Sequence, residues 1–567
     1  MPPPNKCLAE SPSIQARAFS WDRAVAAPGG IVGLWSAGFI ANRCELIALL
    51  GGSAHGSDLE LATAVYSRRG REVSQLIHGP FSWIVWDGNR QHLIAFRDRL
   101  GIHEIFYQQE QDTVLLAGKI ECVFEVSRSR TTPNPAAVHA QIHGQAPAPG
   151  KTFYEGIRAV APGCVLTIMR DRIESEAYWR PELRPLLKLP DDEAYGKAFR
   201  DLLLLIVAEY TQEDEVGVTL SGGLDSTTVA AAIRESSPKT RVTAFSWTAP
   251  ELPEADESEA IAAVCLKLGC RAVSIAADRH WPLSSEPGIE PEVATPLFNY
   301  YSEAWNETFR AARQRGVRVL FSGLSGDHLF GDTVFSYPDL LLTGRWWRLV
   351  AELLEHRRHS ERSLAQIVRR FVLSPIADAY LPTRERNELK PVAWLGPRLR
   401  HESIEGPSIS RRLLPGRRGR LKLLRDPWIG TVASHTTRHA ARHGIDYRHP
   451  LLDHRLFEFA ASLPSTQTFS DGRQKVILRN AMRGRLPVAV LDRRDRTYPI
   501  AIAHRGLRER EQAKVWALMT DMRAAQMGFV DERRLRAAYT DYLAGGDEGA
   551  LFWHTITLEA WLRRYFP

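Results

Sequence analysis

Cysteine is scarce in this chain, which has six cysteines among its 567 residues. A count this low excludes a disulfide framework and is typical of a reducing compartment. Cys265 and Cys270 lie close together, but neither a second cysteine pair nor a histidine cluster accompanies them. A zinc site is therefore not expected, and thiols that pack as small apolar groups are the better interpretation.

Long apolar runs are also missing. LLLLIVA at 202–208 is among the longest, and it falls far short of the ~20 residues that a membrane-spanning helix needs. The first residues, MPPPNKCLAESPS, lack the basic and apolar segments of a signal peptide. We therefore expect a cytoplasmic protein without a membrane span.

Lysine is rare where arginine is abundant: of the 73 basic residues, 11 are Lys and 62 are Arg. Against 66 acidic residues the net charge is +7, which is mild for this length and does not indicate a nucleic-acid partner. The basic residues concentrate in 398–425, together with Gly and Pro. That composition predicts a mobile or surface loop.

The length predicts two to four domains of about 100–200 residues, and the pattern changes once, near residue 190. Before it, FSWIVWD (81–87) alternates like a strand, and 59–70 has helical spacing that ends at Gly70. The Pro-rich stretch 178–192 is typical of a linker. We predict an α+β domain over 1–185 and a second domain over 190–567.

The second half alternates strands and helices. Short apolar strands are predicted at 215–220, 241–247 and 317–323, and amphipathic helices at 193–212 and after each of the first two strands. This alternation of strands and helices is typical of a parallel sheet with right-handed crossovers, flanked by helices. The sequence therefore predicts an α/β fold for this half.

The strongest chemical signal is a Gly-rich turn between a predicted strand and a predicted helix. Its residues are Ser221, Gly222, Gly223, Leu224, Asp225 and Ser226. Two glycines let backbone N–H groups converge on phosphate oxygens, and the helix N-terminus adds partial positive charge. A carboxylate beside a phosphate makes sense as a ligand of Mg²⁺, so Asp225 is a candidate metal ligand. The turn is not a Walker loop, because GxxxxGK[ST] is absent.

SGGLDS resembles the pyrophosphate-binding loop of the ATP pyrophosphatase (PP-loop) superfamily, and further segments resemble the asparagine synthetase-like group within it. FSGLSGD (321–327) is similar to their SGEGSDE stretch, and HPLLDHRLFEFAASLP (449–464) to their PFLDxxLxEFAxxLP segment. KVILRNA (475–481) is similar to their KxxLRxA segment, and Asp256-Glu257 to an acidic pair. The N-terminal half resembles their amidotransferase domain.

The resemblance implies a fold, a cofactor set and residue roles. It implies a C-terminal PP-loop sheet, of the adenine nucleotide alpha-hydrolase type, after a degenerate Ntn-type glutamine amidotransferase α+β domain. ATP would bind the 221–226 loop with Ser322 and Gly323, and Asp225 and Asp327 would hold Mg²⁺. Lys475, together with Asp327, would be catalytic, with the lysine stabilising charge on the α-phosphate and on a tetrahedral oxyanion.

Two departures narrow the activity. The amidotransferase half of the family starts with a nucleophilic cysteine and carries an RGPD signature, whereas here residue 2 is Pro, the nearest thiol is Cys7 and the signature is missing. We therefore expect no ammonia production. Leu324 stands where asparagine synthetases have Glu and β-lactam synthetases have a catalytic Tyr, and leucine can neither bind an amine nor move a proton.

The group that lacks a glutaminase and varies at this position is the lasso peptide cyclases, whose PxWL stretch the segment 391–395 resembles. The implied reaction is adenylation of an Asp or Glu side chain of a precursor peptide, followed by attack of its α-amine to close a macrolactam. The implied partners are that precursor, a leader-binding protein and a leader peptidase. Alternatives are a β-lactam-synthetase-like or asparagine-synthetase-like ligase, a silent peptide-binding scaffold and a tRNA-modifying PP-loop enzyme.

For two further groups of polar residues we expect neither metal binding nor substrate contact. His435, His439 and His443 share a face if this segment is helical, and the interleaved arginines favour a solvated face over a metal site. Asp453 precedes a predicted helix, and we expect it to pin that loop rather than to contact substrate.

Overall fold

The structure is a computed structural model, and part of the chain is left undescribed. The described residues are 15–19, 24–52, 56–111, 113–127, 131–285, 289–331, 336–358, 360, 362–380, 392–403, 409–410, 413–470, 472–493, 499–546 and 549–567. Cys7, Pro391, Arg411 and Arg412 lie outside them. Across the described ranges, no helix combines the length and apolar character needed to cross a bilayer.

The N-terminal half forms two sheets. Its strands are β1 (Gln15–Phe19), β2 (Val25–Ala27), β3 (Ile31–Gly38), β4 (Phe81–Asp87), β5 (His92–Phe96), β6 (Phe106–Glu110), β7 (Thr113–Ala117), β8 (Ile157–Ala159), β9 (Cys164–Ile168) and β10 (Ile173–Ala177). One sheet has the order β10-β9-β5-β4-β3-β2 and is antiparallel. The other has the order β1-β7-β6-β8, with β1 and β7 parallel.

Helices cover these sheets. They are α1 (Arg43–Leu49), α2 (Asp58–Arg69), α3 (Val73–Leu76), α4 (Ile120–Phe124) and α5 (Pro135–Ile142). The predicted helix at 59–70 is confirmed as α2, which starts at a capping box of Ser57 and Glu60 and stops at Gly70. Both ends follow the local chemistry, because the box satisfies free N–H groups and glycine adopts the positive φ of 57°.

The second half is built on a parallel sheet. Its strands are β11 (Glu215–Thr219), β12 (Arg241–Thr248), β13 (Arg271–Ala276), β14 (Val319–Phe321), β15 (Asp446–Arg448), β16 (Phe469–Ser470) and β17 (Arg473–Gln474). The first five form one sheet in the order β13-β12-β11-β14-β15, with every pair parallel. The predicted strands are thus confirmed, and their carboxyl ends share one edge.

Nineteen α-helices surround this sheet or follow it in the described part of the chain. They are α6 (Asp192–Tyr210), α7 (Leu224–Ser236), α8 (Ser258–Leu268), α9 (Ser302–Gln314), α10 (Gly326–Phe330), α11 (Ser336–Leu342), α12 (Trp346–Arg358), α13 (Leu364–Val368), α14 (Ser374–Tyr380), α15 (Pro415–Leu424), α16 (Pro427–Arg442), α17 (His454–Ser462), α18 (Val476–Ala481), α19 (Val488–Asp492), α20 (Ile500–His504), α21 (Gln512–Leu518), α22 (Arg523–Gln526), α23 (Glu532–Leu543) and α24 (Gly549–Tyr565).

The predicted fold class is confirmed, with an amidotransferase-like α+β half followed by a parallel α/β half. The loop predicted for 398–425 is wrong in part, because α15 occupies 415–424. Arg420 on this helix is buried and donates to the Leu329 carbonyl at 2.5 Å, so tertiary contacts stabilise a helix that the composition disfavours.

The two halves share apolar packing. Phe39 from the end of β3 is buried in the same apolar cluster as α6 and α7, and its ring meets Tyr210 edge-on at 4.9 Å. The guanidinium of Arg448, at the end of β15, stacks over the Phe39 ring at 4.3 Å and pairs with Glu213 at 2.9 Å. The amidotransferase-like half therefore contacts the second half at the carboxyl end of β15 and at the end of α6.

Candidate active site

A cavity of about 430 Å³ opens at the carboxyl edge of the parallel sheet. The Gly-rich loop follows β11 and leads into α7, with Gly223 as the residue before the helix. Ser226 Oγ lies 3.0 Å from Ser221 Oγ and accepts the Ser221 N–H at 3.0 Å, which closes the loop on itself. Neighbouring strands end at this edge, so loops distant in sequence meet here.

The second loop, after β14, packs against the Gly-rich loop at backbone distance. A Cβ at Gly323 would lie 2.4 Å from Ser226 N, and one at Gly326 would lie 2.2 Å from Asp225 Cγ. Only glycine permits this approach. Ser322 and Gly323 line the same cavity as the whole 221–226 loop.

Lys475 joins both loops. Its ammonium Nζ lies 2.6 and 2.7 Å from the two carboxylate oxygens of Asp225 and 2.6 Å from Asp327 Oδ1. Three groups separated by up to 250 residues thus meet at one wall of the cavity, with two negative charges and one positive charge.

The backbone of Lys475 is held in an unusual conformation. Its φ is 58° and its ψ is 42°, in the left-handed region that non-glycine residues rarely adopt. The residue precedes α18 and donates its N–H to the Thr468 carbonyl at 2.7 Å. Such a conformation costs of order 1–3 kcal/mol and persists where the surroundings hold it, often at functional sites. Here it aims a buried ammonium, 8% exposed, into the cavity.

The sequence did not reveal that an arginine, Arg493, supports the Gly-rich loop through Glu257. Arg493 Nη1 lies 2.7 Å from Glu257 Oε1, and Glu257 Oε2 accepts the Gly222 N–H at 3.0 Å. In the sequence, Glu257 is recognisable only as half of an acidic pair. Its neighbour Asp256 instead fixes a turn by accepting the Ala249 N–H at 2.8 Å. No local pattern marks Arg493, because it follows the short helix α19 about 270 residues after the loop it touches.

The far end of the cavity is aromatic. Trp247 at the end of β12 meets Trp305 edge-on at 4.8 Å, and its indole N–H donates to Thr308 Oγ1 at 2.9 Å. Phe245 and Ile502 add apolar walls. One end of the cavity therefore suits phosphate groups, and the other suits a flat apolar group.

A buried histidine supports Ser322 from behind. His449 Nδ1 lies 2.6 Å from Ser322 Oγ, and its Nε2 lies 3.2 Å from Thr437 Oγ1. Burial lowers the pKa of His449 to about 3, so the ring is neutral near pH 7. A neutral ring with both nitrogens engaged orients the serine hydroxyl at the cavity wall.

Leu324 also lines the cavity, as an apolar side chain packed partly against the core. Its backbone N–H donates to Ser322 Oγ at 3.2 Å. The Leu324 side chain therefore presents only hydrocarbon to the cavity.

The predicted structural role of Asp453 is confirmed. It caps α17 by accepting the Arg455 N–H at 3.0 Å, and the Arg455 guanidinium binds it at 2.8 and 2.9 Å. Burial raises the pKa of Asp453, but the bonds from Arg455 outweigh it and hold the pKa at about 2.

The solvated histidine face predicted on α16 is wrong. His435 is buried beside Glu292 at 3.5 Å, and His439 Nε2 lies 2.6 Å from Asn306 Oδ1 of α9. Burial lowers the pKa of His439 to about 3. Within the described residues, no three His, Cys, Asp or Glu side chains are grouped to hold a metal ion.

The thiols of the described chain lie away from the cavity. Burial raises the pKa of Cys164 and Cys265, and that of Cys270 to about 11, which disfavours the nucleophilic thiolate. A second cavity of about 380 Å³ lies between the two halves, and Arg425 from the basic stretch lines it.

The wall at Lys475 fits a magnesium nucleotide. Mg²⁺ is commonly held by one or two carboxylates together with substrate phosphates, and Asp225 and Asp327 supply two such carboxylates. Because Gly323 has no side chain, the second loop leaves Ser226 N uncovered, and the first N–H groups of α7 have no partner within the helix. The aromatic end would take the base of the nucleotide.

Comparisons with known proteins match both halves of the chain. A family profile described as "Asparagine synthase" matches residues 198–563, and one described as "Glutamine amidotransferase domain" matches residues 38–179. The chain is 21% identical to "Asparagine synthetase [glutamine-hydrolyzing] 1" of Bacillus subtilis, over 90% of this chain and 82% of that protein.

Two further relatives show how the likeness is distributed. The chain is 24% identical to the "Putative asparagine synthetase [glutamine-hydrolyzing]" of Mycobacterium bovis, over 89% of this chain and 81% of that protein. It is 31% identical to "Amidase chry2" of Gibberella zeae, over only 31% of this chain and 26% of that protein. The likeness to the asparagine synthetases therefore spans both halves.

Proposed function

This chain belongs to the asparagine synthase family of ATP-dependent amide ligases, and we propose that it is a lasso peptide cyclase. In this proposal it activates an Asp or Glu side chain of a precursor peptide as an acyl adenylate. The α-amine of the same peptide then closes a macrolactam ring, and the products are AMP and pyrophosphate.

The main support for this proposal is the apolar side chain of Leu324 in the cavity wall. A ligase that takes free ammonia, or a small amine that must be deprotonated, needs a polar side chain near the acyl carbon to bind the amine or accept its proton. Leu324 offers hydrocarbon at that point. The amine of the peptide is tethered to its own acyl group and gains proximity from the substrate itself, so ring closure does not need a side chain that captures free ammonia.

The first step uses the loops and Lys475. A carboxylate oxygen of the peptide attacks the α-phosphorus of ATP, the bond to the bridging oxygen of the β-phosphate breaks, and pyrophosphate leaves. Backbone N–H groups of residues 224–226, in the first turn of α7, hold the leaving phosphates. The ammonium of Lys475 stabilises the charge that develops at the α-phosphate, and a donor placed in this way contributes about 3–4 kcal/mol to lowering the barrier.

The family uses ATP, typically with Mg²⁺, and Asp225 and Asp327 would hold that ion. Bound there, Mg²⁺ supplies positive charge to the phosphates. In the second step the peptide amine attacks the acyl carbon, loses a proton and expels AMP. In this proposal Lys475 also stabilises the oxyanion of that step.

The proposed partners follow from the substrate. We propose a precursor peptide as substrate, with a leader-binding protein and a leader peptidase acting before ring closure. The cavity between the halves, which has an arginine-rich wall including Arg97, Arg99 and Arg425, supports a route for an extended peptide. The amidotransferase-like half would then serve as a wall of the peptide site rather than as a source of ammonia.

The decisive experiment is reconstitution with precursor, peptidase and ATP, followed by mass spectrometry. We expect a product lighter than the cleaved peptide by one water, together with AMP. A precursor with a blocked α-amine is the matched control, and it should exchange pyrophosphate into ATP without cyclising. Formation of ADP would refute the adenylation step.

The alternative ligases give different products in the same assay. An asparagine-synthetase-like enzyme would convert aspartate and ammonia to asparagine, and a β-lactam-synthetase-like enzyme would cyclise a small β-amino acid and ignore the peptide. Either result would overturn the macrolactam proposal while leaving the family assignment intact.

A further inference from the structure

Large apolar side chains are exposed mainly on one part of the described surface, the helices between residues 342 and 380. Eight of the thirteen exposed large apolar side chains lie there: Leu342, Trp346, Trp347, Val350, Leu354, Leu364, Leu373 and Tyr380. The other five are spread singly over the rest of the described chain. Isolated exposed apolar residues are normal, but a concentration of them marks an interaction site.

The most exposed part of this region is residues 342–348, which comprise the last residue of α11, the turn at 343–345 and the first residues of α12, and which we call the tryptophan tip. All seven of its residues are exposed, with Trp346 at 64% and Trp347 at 91%. Val350 and Leu354 continue the apolar stripe along α12, because residues three and four apart share a helix face. The tip is thus the end of an apolar ridge and not the floor of a groove.

The charges around the tip have one sign. Residues 342–351 read LTGRWWRLVA, with two arginines and no acidic residue. Arg357 and Arg358 lie exposed at the other end of α12. Glu352 is buried 3.9 Å from Arg348, and Glu355 pairs with Arg358 at 3.1 Å, so these two carboxylates offset two of the three arginines of α12, and Arg345 adds a further positive charge before the helix.

We propose that the tryptophan tip docks this protein onto an anionic phospholipid surface. Tryptophan and arginine suit the boundary between headgroups and acyl chains, because the indole ring enters the apolar layer while the guanidinium binds phosphate. Trp347 is 91% exposed, so its ring can enter such a layer without rearrangement of the core. The excess of arginine over acidic residues at the tip and along α12 favours an anionic layer. The proposal is independent of the proposed catalytic function.

The test is co-sedimentation of the full chain with lipid vesicles. We expect binding to vesicles of phosphatidylcholine mixed with phosphatidylglycerol, weaker binding to pure phosphatidylcholine, and weakening by salt. Replacing both Trp346 and Trp347 by Ala should lower the partition coefficient at least tenfold. Arg345→Glu should lower it about tenfold on the anionic vesicles alone.

Two variants control for loss of apolar area and of charge elsewhere. Leu266→Ala removes a side chain that is 86% exposed on α8, and Lys188→Glu reverses an exposed charge in the linker. Both should bind vesicles like the parent protein. All variants should keep the parent melting temperature, because the altered side chains are exposed.

Three outcomes would overturn the proposal. The first is equal binding by the parent protein and the double Trp variant, and the second is no binding to anionic vesicles. The third is a dimer in sedimentation velocity without lipid that the double Trp variant abolishes, which would assign the tip to self-association. Lipid binding that tracks the tip and the anionic lipid supports the proposal.

Discussion

Replacing Gly323 by Ala tests whether the two loops of the cavity must touch through their backbones. The added methyl group would lie 2.4 Å from Ser226 N and 2.7 Å from the Asp225 carbonyl carbon. Ordinary contact needs about 3.5 Å, so the loops must separate by about 1 Å. These are backbone atoms within well-packed loops, and no side chain can rotate to relieve the contact.

The size of the effect follows from that shift. A ~1 Å misplacement of reacting groups costs on the order of 100-fold in rate, and overpacking costs about 1–3 kcal/mol of stability. We expect Gly323→Ala to lower pyrophosphate exchange into ATP by about 100-fold at a temperature where it remains folded. Peptide-dependent exchange is the assay, because it reports adenylation without the ring-closing step.

Gly223→Ala is the matched control within the same cavity. Its methyl group would meet only the Ser221 hydroxyl, at 3.1 Å, and its φ of −81° suits alanine. We expect a loss below about threefold, equal to ~0.6 kcal/mol. The reasoning would be refuted if Gly323→Ala kept near-parent exchange while folded, or if the two variants lost equal activity.

Three further changes probe the site and its support. Lys475→Ala should lower peptide cyclisation about 100- to 1,000-fold. The control is Lys197→Ala, which removes an exposed lysine paired with an aspartate at 2.5 Å and should leave cyclisation unchanged. Near-normal cyclisation by Lys475→Ala would contradict the role of Lys475. Glu257→Gln should raise the KM for ATP several-fold with little change in melting temperature, because it weakens the bond that fixes the Gly222 N–H at 3.0 Å; an unchanged KM would exclude that role. Asp453 is ionised in the fold down to its pKa of about 2, below the unfolded value of about 3.9, so its stabilisation is complete above pH ~4 and fades between pH ~4 and ~2. The melting-temperature gap between the parent and Asp453→Asn should therefore shrink as the pH falls through that window, and a gap independent of pH would contradict it.

Local chemistry made much of the second half predictable. The strand before Ser221, the helix after Gly223 and the parallel order follow from apolar runs that alternate with amphipathic segments, and the structure confirms them. The site was predictable only where its residues lie in recognisable motifs. Lys475 was found through its motif, whereas its left-handed backbone and its bonds to two carboxylates depend on tertiary contacts.

The wrong or missing predictions have one physical cause. Polar and charged residues were expected at the surface, but partners from distant segments bury them or bind them. The stretch around Arg420 was predicted as a loop, yet it forms α15 because the guanidinium finds a buried carbonyl. The α16 histidines were predicted to face solvent, yet Asn306 and Glu292 from distant segments cover them. Arg493 was missed for the same reason, since its partner Glu257 lies more than 200 residues earlier.

The stacking of Arg448 on Phe39 has a consequence for how this enzyme could be shortened. The carbonyl of Arg448 accepts the Ser322 N–H at 3.0 Å, so the residue that anchors the amidotransferase-like half also holds one lip of the catalytic cavity. Excising the N-terminal half would unstack that guanidinium and expose the apolar surface around Tyr210. The N-terminal half therefore supports the cavity structurally, because a chain that began at the linker would lose the packing behind the Arg448 and Ser322 contact.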